Sequence, residues 1–289
     1  MKLVSYNIQY GRGRDGVFDL PRIAAAVTDA DVIALQEVER YWQRSGMVDQ
    51  AREIADLLGD HYWIYGAGVD LDCSAGAGGD ARNRRRQFGN MLLCRVPILS
   101  SRNHLLPKYG SLGPLSIQRS ALECVIQTGG RLLRVYSLHL THLSAETRMP
   151  QVERLLDIHE RAPVEGGALS GSGQKDEWTQ DGMPPSLPRE AIFMGDFNME
   201  SDSEEYARIA GPVSPYGGRI TNPHGFVDAW VAAGNQEGDG VTAEIDGRSV
   251  RLDYCFVSAS MGAAVGAARI DGEAAGSDHQ PLWVEIDLD

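Results

Sequence analysis

A chain of 289 residues, 43% hydrophobic and 23% charged, has the composition of an ordinary soluble globular protein with ample length for a large core. Its formal net charge of −13 argues against a general nucleic-acid binder, which needs a basic surface to displace counterions, although salt screens that repulsion beyond about 8 Å. No apolar run approaches the roughly 20 residues that span a bilayer, and the first residues lack the apolar stretch of a signal peptide, so a cytoplasmic location without a transmembrane segment is the expectation.

In chain order, residues 3–8 read as a strand, 20–28 as a helix and 31–35 as a second, buried strand. Ala51, Ile54, Ala55 and Leu58 recur at helical spacing and predict a helix over 49–58. A strand over 61–67 gives way to a Gly- and Arg-rich loop over 68–87, then to strands near 90–94, 99–106, 120–127 and 132–140. Gly129-Gly130 between the last two is a hairpin signal. A helix over 145–160 follows. Residues 162–189 are dominated by Gly, Ser, Pro and polar side chains, as expected of a mobile insertion or a lid too long for a routine connection. Ala191-Ile192-Phe193-Met194 reads as a buried strand that Gly195 ends by letting the backbone turn. A helix near 203–209 and strands near 251–258, 267–270 and 281–286 complete the chain. Such a mixture of βαβ and hairpin connections implies mixed sheets with helices outside, in a single domain over 1–289.

Four cysteines form no CxxC pair, which supports neither a disulfide framework nor a thiolate zinc site. Cys94, Cys124 and Cys255 lie in apolar runs and read as buried thiols, whereas Cys73 falls in a polar loop. Arg82, Arg84, Arg85 and Arg86 in one loop, with Arg12 and Arg14 in another, form either solvated loops or a collar for an anionic substrate. Gly11-Arg12-Gly13-Arg14 lacks the third glycine and helix start of a dinucleotide fingerprint. Tyr41, Trp42 and Trp63 read first as core or surface packing, with an aromatic wall beside a site as the alternative. His139 and His142, three apart on a strand, point to opposite faces and argue against zinc.

Polar residues concentrate where the apolar runs stop. Asn7 ends the first strand and Gln36-Glu37 the second; Ser137 and His139 share one face of a later strand. Asp196 and Asn198 follow Met194, Arg251 and Asp253 open another strand, and Asp278-His279 precede the last. Any one of these alone is an ordinary turn or cap residue. Six strands that each deliver acid, amide or imidazole at an end form a pattern: the kit for activating water against a phosphoester with a divalent metal.

Ser5-Tyr6-Asn7, Leu35-Gln36-Glu37-Val38, Gly89-Asn90, Ser137-Leu138-His139-Leu140, Gly195-Asp196-Phe197-Asn198, Arg251-Leu252-Asp253-Tyr254 and Ser277-Asp278-His279 together resemble, in order and spacing, the endonuclease/exonuclease/phosphatase superfamily of DNase I-like metal-dependent phosphoesterases. The resemblance implies an α/β fold of four layers, αββα, in which two mixed β-sheets pack face to face with helices outside and the site lies at the mouth between them. It further implies that Glu37, with Asn7 beside it and Asp278 in support, holds Mg²⁺ or Mn²⁺. Asp196 would orient and deprotonate water, and Asn198 would hydrogen-bond a phosphate oxygen. His279, held by Asp253, would contact the scissile phosphate, while His139 would serve the leaving side. Asn90, Arg84, Arg85 and Arg119 join Asn198 as substrate-binding candidates.

Three functions follow for consideration: a metal-dependent phosphodiesterase or phosphatase for a small, lipid- or sugar-derived phosphate; a DNA or RNA nuclease; and an inactive binding module. The last is disfavoured because each catalytic position holds a competent residue. The acidic surface, and the lack of a basic element carrying aromatic wedges, favour the first over the second. No obligate protein partner is inferred.

Overall fold

The computed structural model describes residues 1–74, 83–171, 176–178, 180, 182 and 185–288. Its elements in chain order are β1 (Lys2–Asn7), α1 (Leu20–Val27), β2 (Val32–Arg40), α2 (Gln50–Leu57), β3 (Tyr62–Asp72), β4 (Arg85–Cys94), β5 (Ile98–Leu105), β6 (Ser120–Thr128), β7 (Arg131–His139) and α3 (Ala145–Glu165). They continue with β8 (Ala191–Asp196), α4 (Glu204–Ala210), β9 (Phe226–Asp228), α5 (Ala229–Ala232), β10 (Ala243–Ile245), β11 (Arg248–Val250), β12 (Asp253–Ser258), β13 (Val265–Ile270) and β14 (Leu282–Ile286). One six-stranded sheet runs β13-β14-β1-β2-β4-β3, the other β5-β6-β7-β8-β12-β9, and β10-β11 form a small ribbon. Among the described residues only β1–β2 and β7–β8 pair in parallel, so both large sheets are mixed.

The two-residue period of a strand sorts side chains into three cores. Leu3, Val32, Ala34, Val135, Ile192, Met194, Cys255 and Val257 fill the space between the sheets. Their neighbours Val4, Tyr6, Ile33 and Leu35 turn outward and pack with Ile23 and Val27 of α1 and Ile54 of α2. On the other sheet, Tyr136, Leu138, Phe193, Tyr254 and Phe256 face Val152, Leu155 and Ile158 of α3 and Tyr206 of α4. This is the expected four-layer arrangement. Each aliphatic side chain fully buried in it stabilises the fold by about 1.5–3 kcal/mol. The helices start where a side chain satisfies an otherwise free N–H: Asp19, Asp49, Ser144 and Ser203 accept from Arg22, Arg52, Thr147 and Tyr206.

Several boundaries differ from the sequence expectation. The 68–87 segment is not one loop, because β3 continues to Asp72 and β4 begins at Arg85. The break expected at Gly68 is absorbed by a shift in the β3–β4 register between Ala67 and Val69. Arg85 and Arg86 therefore stand on a strand, and Arg82 lies outside the described residues. Cys73 is buried, and its N–H donates to the Arg84 carbonyl. Helix α3 extends to Glu165, since Ala162 is held against Leu187 and Val125. The centre of the expected insertion, residues 172–175, lies outside the described residues. Gly195 does not end β8: it pairs with Tyr254 and Leu138 inside the sheet, and a Cβ there would come within 1.9 Å of the Leu138 carbonyl oxygen. Close backbone approach, not a turn, requires glycine. The Gly129-Gly130 hairpin forms as expected, with φ of 53° and 73° between paired Thr128 and Arg131.

On the outer face of the second sheet, buried Glu123 accepts from Arg102 at 2.8 Å and from the Tyr136 hydroxyl at 2.8 Å, and lies 2.7 Å from His104 Nε2. Burial alone would raise its carboxyl, but His104, Arg102 and Tyr136 outweigh it and hold the group near 2. A carboxyl depressed in the fold adds stability above its unfolded value, and that stability is lost as the pH falls through the folded value. Glu123→Gln is therefore expected to cost on the order of 3 kcal/mol at pH 7, with the deficit shrinking between pH 5 and 2. Urea denaturation across that range checks it; a pH-independent deficit would contradict the account.

Candidate active site

The same parity that sorts the cores builds the site. Along β1 the inward positions are Leu3, Ser5 and Asn7; along β7, Leu133, Val135, Ser137 and His139. Along β8 they end in Asp196, and β12 opens on Asp253, which pairs directly with Asp196 across the ladder. His139 is the partner of Asp196 on the other side. Polar side chains thus replace aliphatic ones at one rim of the inter-sheet core, where the carboxyl ends of both parallel pairs lie.

Asp196, 2% exposed, is the centre. Its Oδ2 accepts from Asn7 Nδ2 at 2.9 Å and lies 3.3 Å from His139 Nε2 and 3.8 Å from His279 Nε2. Its Oδ1 accepts from the Asn198 backbone N–H at 2.9 Å. Burial opposes ionisation, but the close contact with His139, the charge of His279 and the hydrogen bond from Asn7 dominate and hold the carboxyl well below its usual range.

The two histidines are set in opposite states. Arg119 Nη1 donates to His139 Nδ1 at 2.9 Å, which makes Nδ1 the acceptor and leaves the proton on Nε2, facing Asp196. Burial and the Arg119 charge push His139 down to about 4, so it is neutral at neutral pH. His279 Nδ1 lies 2.7 Å from Asp253 Oδ2. Burial disfavours its charge, yet Asp253 and Asp196 raise it to about 10, so it is an imidazolium. Burial raises Asp253 to about 6 against the pull of His279.

Glu37 reaches the rim by a different device. Between Leu35 and Val38 the β2–β4 register shifts, so that Gln36 and Glu37 together oppose Asn90. Glu37 takes φ 59°, a left-handed conformation that is uncommon for this residue type. Its carboxyl is raised by burial and by Asp196 and Asp278, against Arg119 and His279. Its side chain is partly exposed, and among the described residues it accepts no hydrogen bond. A carboxylate at a rim that no protein donor satisfies is the oxygen ligand a hard cation requires. No three His, Cys, Asp or Glu side chains converge into a closed cage among the described residues. Mg²⁺ keeps several waters and takes one or two carboxylates plus substrate oxygens. The donor set at Glu37, Asp278 and Asn7 fits such an ion.

Other placements were not legible in the sequence. Gln9 Nε2 donates to Asp278 Oδ2 at 2.6 Å, and Ser277 Oγ donates to the Asn7 carbonyl at 2.7 Å, tying the last rim segment to β1. Thr242 Oγ1 accepts from the N–H groups of Leu252 and Asp253 and so positions Asp253. His142 lies beyond the end of β7 rather than on its opposite face. It shares Arg119 with His139, accepting from Nη2 at 3.2 Å. Asn90 donates to the Ser120 carbonyl at 2.7 Å and ties β4 to β6. Asn198 donates to the Leu140 carbonyl at 3.0 Å. Arg251 turns from the rim into a buried pair with Asp228 at 2.7 Å. Arg84 and Arg85 are not brought to the residues around Asp196: Arg84 stacks on Tyr41 and Arg85 pairs with Asp70 at 2.8 Å. Among the arginine candidates, Arg119 is the one inside the site.

Residues 4–279 match the Endonuclease/Exonuclease/phosphatase family. The chain belongs to this family. It is a phosphoester hydrolase. Among solved structures, a family protein from Leptotrichia buccalis is 18% identical over 100% of both chains, with a TM-score of 0.66. A mannosyl-6-phosphatase from Bacteroides thetaiotaomicron is 17% identical over 100% of both, with a TM-score of 0.63. Humanized TDP2 from D. rerio is 16% identical over 98% of this chain and 97% of that one, with a TM-score of 0.58. These likenesses establish the DNase I-like fold and carry no substrate. No curated protein matches the sequence. No helix among the described residues is long and apolar enough to cross a membrane.

The charge states are open to direct measurement in this family member. In histidine NMR titrations of the metal-free protein, His279 is expected to stay protonated through pH 8 and His139 to stay neutral down to about pH 5. Asp253→Asn removes the carboxylate that outweighs burial and is expected to bring His279 into or below the ordinary histidine range. A His279 that titrates normally in the parent protein would contradict this assignment.

Proposed function

We propose that this protein is a divalent-metal-dependent phosphodiesterase or phosphatase in which Asp196 directs water at a phosphorus held between a cation site and His279. The observation that carries the proposal is the Asp196 carboxylate itself. It is fixed on both oxygens by Asn7, His139 and Asn198, with an imidazolium 3.8 Å away. An anchored anion beside an anchored cation fits a water on one side and an anionic phosphate on the other.

Glu37 and Asp278, with Asn7 alongside, would hold Mg²⁺ or Mn²⁺. When bound, the ion would neutralise charge on the phosphate oxygens and help acidify water. Asp196 is ionised at neutral pH and accepts a hydrogen bond from the attacking water. Because its affinity for protons is depressed, the proton would transfer late, as the new P–O bond forms. His279, kept charged by Asp253, would donate from Nε2 to a non-bridging oxygen and stabilise the growing negative charge. Neutral His139, with its proton on Nε2, would serve the leaving side. Asn198 retains a second amide hydrogen for a phosphate oxygen. A net charge of −13 supports a small or lipid-derived phosphate over nucleic acid as substrate.

A panel with Mg²⁺ or Mn²⁺ tests the proposal, using bis-(p-nitrophenyl) phosphate, sugar, inositol and lipid phosphates, and single- and double-stranded DNA. Hydrolysis of a small or lipid phosphate is expected, abolished by EDTA and restored by either ion. Asp196→Ala is expected to lower kcat by roughly 10³-fold. Glu37→Gln should move the metal dependence to higher concentration. Turnover that persists in EDTA would sink the metal assignment, and turnover confined to DNA would establish the nuclease alternative.

A further inference from the structure

A second concavity of about 430 Å³ opens beside the rim, walled by Trp42, Phe88, Leu115 and Ile117, with Arg44 and Lys108 at its edge. It is one side chain away from the catalytic residues. The Arg119 guanidinium that holds His139 lies 6.0 Å from the Phe88 ring centroid, and Gln118, in the pocket wall, precedes Arg119 in the chain. From this and the phosphoester chemistry above, we propose that the concavity is the specificity subsite for the organic part of the substrate. It would take an apolar group of ring size or larger that bears a second anionic substituent.

The apolar walls are built rather than incidental. Trp42 Nε1 donates to the Gln87 carbonyl at 2.8 Å, which fixes the indole against β4. The Arg44 guanidinium lies 5.3 Å from the indole ring centre and 4.0 Å from that of Tyr10. Arg44 is itself held by fully buried Glu39 at 2.8 Å. Leu115, on the 107–118 segment, is 76% exposed, an apolar surface that a bound group would cover. Single exposed leucines are ordinary; one that lines a concavity with Trp42 and Phe88 offers a hydrophobic wall next to a phosphate site.

The charges point to an anion. Arg86, which lines an adjoining concavity with Trp42, Gln43 and Arg44, lies 5.6 Å from the Trp42 ring centre, and among the described residues its side chain has no hydrogen bond or ion pair. Among the described residues Lys108 makes only a 3.4 Å contact to the Tyr109 carbonyl. Asp70, the carboxylate in the wall, is neutralised by Arg85 at 2.8 Å, which leaves Lys108 as the underused cation of the pocket and Arg86 as one next to it; in a chain of net charge −13 these mark a place where a negative group is accommodated. Neither Trp42 nor Lys108 touches Asp196, Glu37 or the two histidines, so the subsite selects substrate without taking part in the chemistry.

Binding rather than turnover tests the proposal. Calorimetric titrations compare a carboxylated naphthyl phosphonate with methylphosphonate, which share the phosphorus group and differ in the part the pocket would hold. The wild-type protein is expected to bind the naphthyl compound at least ten-fold more tightly. Trp42→Ala and the exposed variants Lys108→Gln and Leu115→Asp are each expected to erase most of that margin while leaving methylphosphonate binding unchanged. A wild-type protein without the margin, or one whose margin survives in all three variants, overturns the subsite. An intact margin in a protein that hydrolyses no phosphoester would instead sink the catalytic proposal and leave the subsite standing.

Discussion

A carboxylate buried between two sheets is the constraint on which this molecule depends. Asp196 is 2% exposed, and an ion desolvated to that degree persists only where donors and opposite charges replace the water it has lost. Those donors come from both sheets. Asn7 reaches across from β1, while His139, the Asn198 N–H and His279 approach from the side of β8 and the last rim segment. The sheets are therefore locked not only by the aliphatic layer beneath but by a polar contact whose geometry tolerates little slippage. Just below it, Gln36 donates to Ser137 Oγ, and Ser137 donates back to the Leu35 carbonyl, a second bridge between sheets.

Two imidazoles on one carboxylate acquire different charge states, one neutral and one cationic, because their other nitrogens face opposite partners. His139 turns Nδ1 to a guanidinium and stays neutral; His279 turns Nδ1 to a buried carboxylate and stays charged. Burial disfavours the charged form of both, so partner identity decides. The arrangement separates a fixed cation from a neutral donor without either moving.

Chemistry and selectivity are placed on different kinds of structure. The catalytic candidates stand at strand ends held by ladders on both sides. The residues around Trp42 sit on loops and on the part of the β3–β4 ribbon that runs past the rim. Loops can change side chain and length without disturbing the ladder, whereas a substitution at Asp253 or His139 shifts a position paired directly with Asp196.

What the sequence determined by itself was everything that follows from local pattern. Alternation fixed which face of each strand is apolar, and polar residues at the ends of those faces, at Asn7, His139, Asp196 and Asp253, named the rim before any fold was known. The order of short runs then named the family. What only the tertiary structure decided depends on contacts between distant segments or on backbone departures from the regular period. Glu37 reaches the site through a bulge and a left-handed φ, which a two-residue period cannot express. Gln9 and Thr242 gain their roles from a partner more than two hundred residues away in one case and from residues beyond the far side of the small β10–β11 ribbon in the other. Arginine content alone could not distinguish Arg119, buried against two histidines, from Arg84 and Arg85, engaged with Tyr41 and Asp70. A guanidinium on a long, flexible stem takes its function from whichever partner the fold presents to it, and that is a property of the assembled sheets.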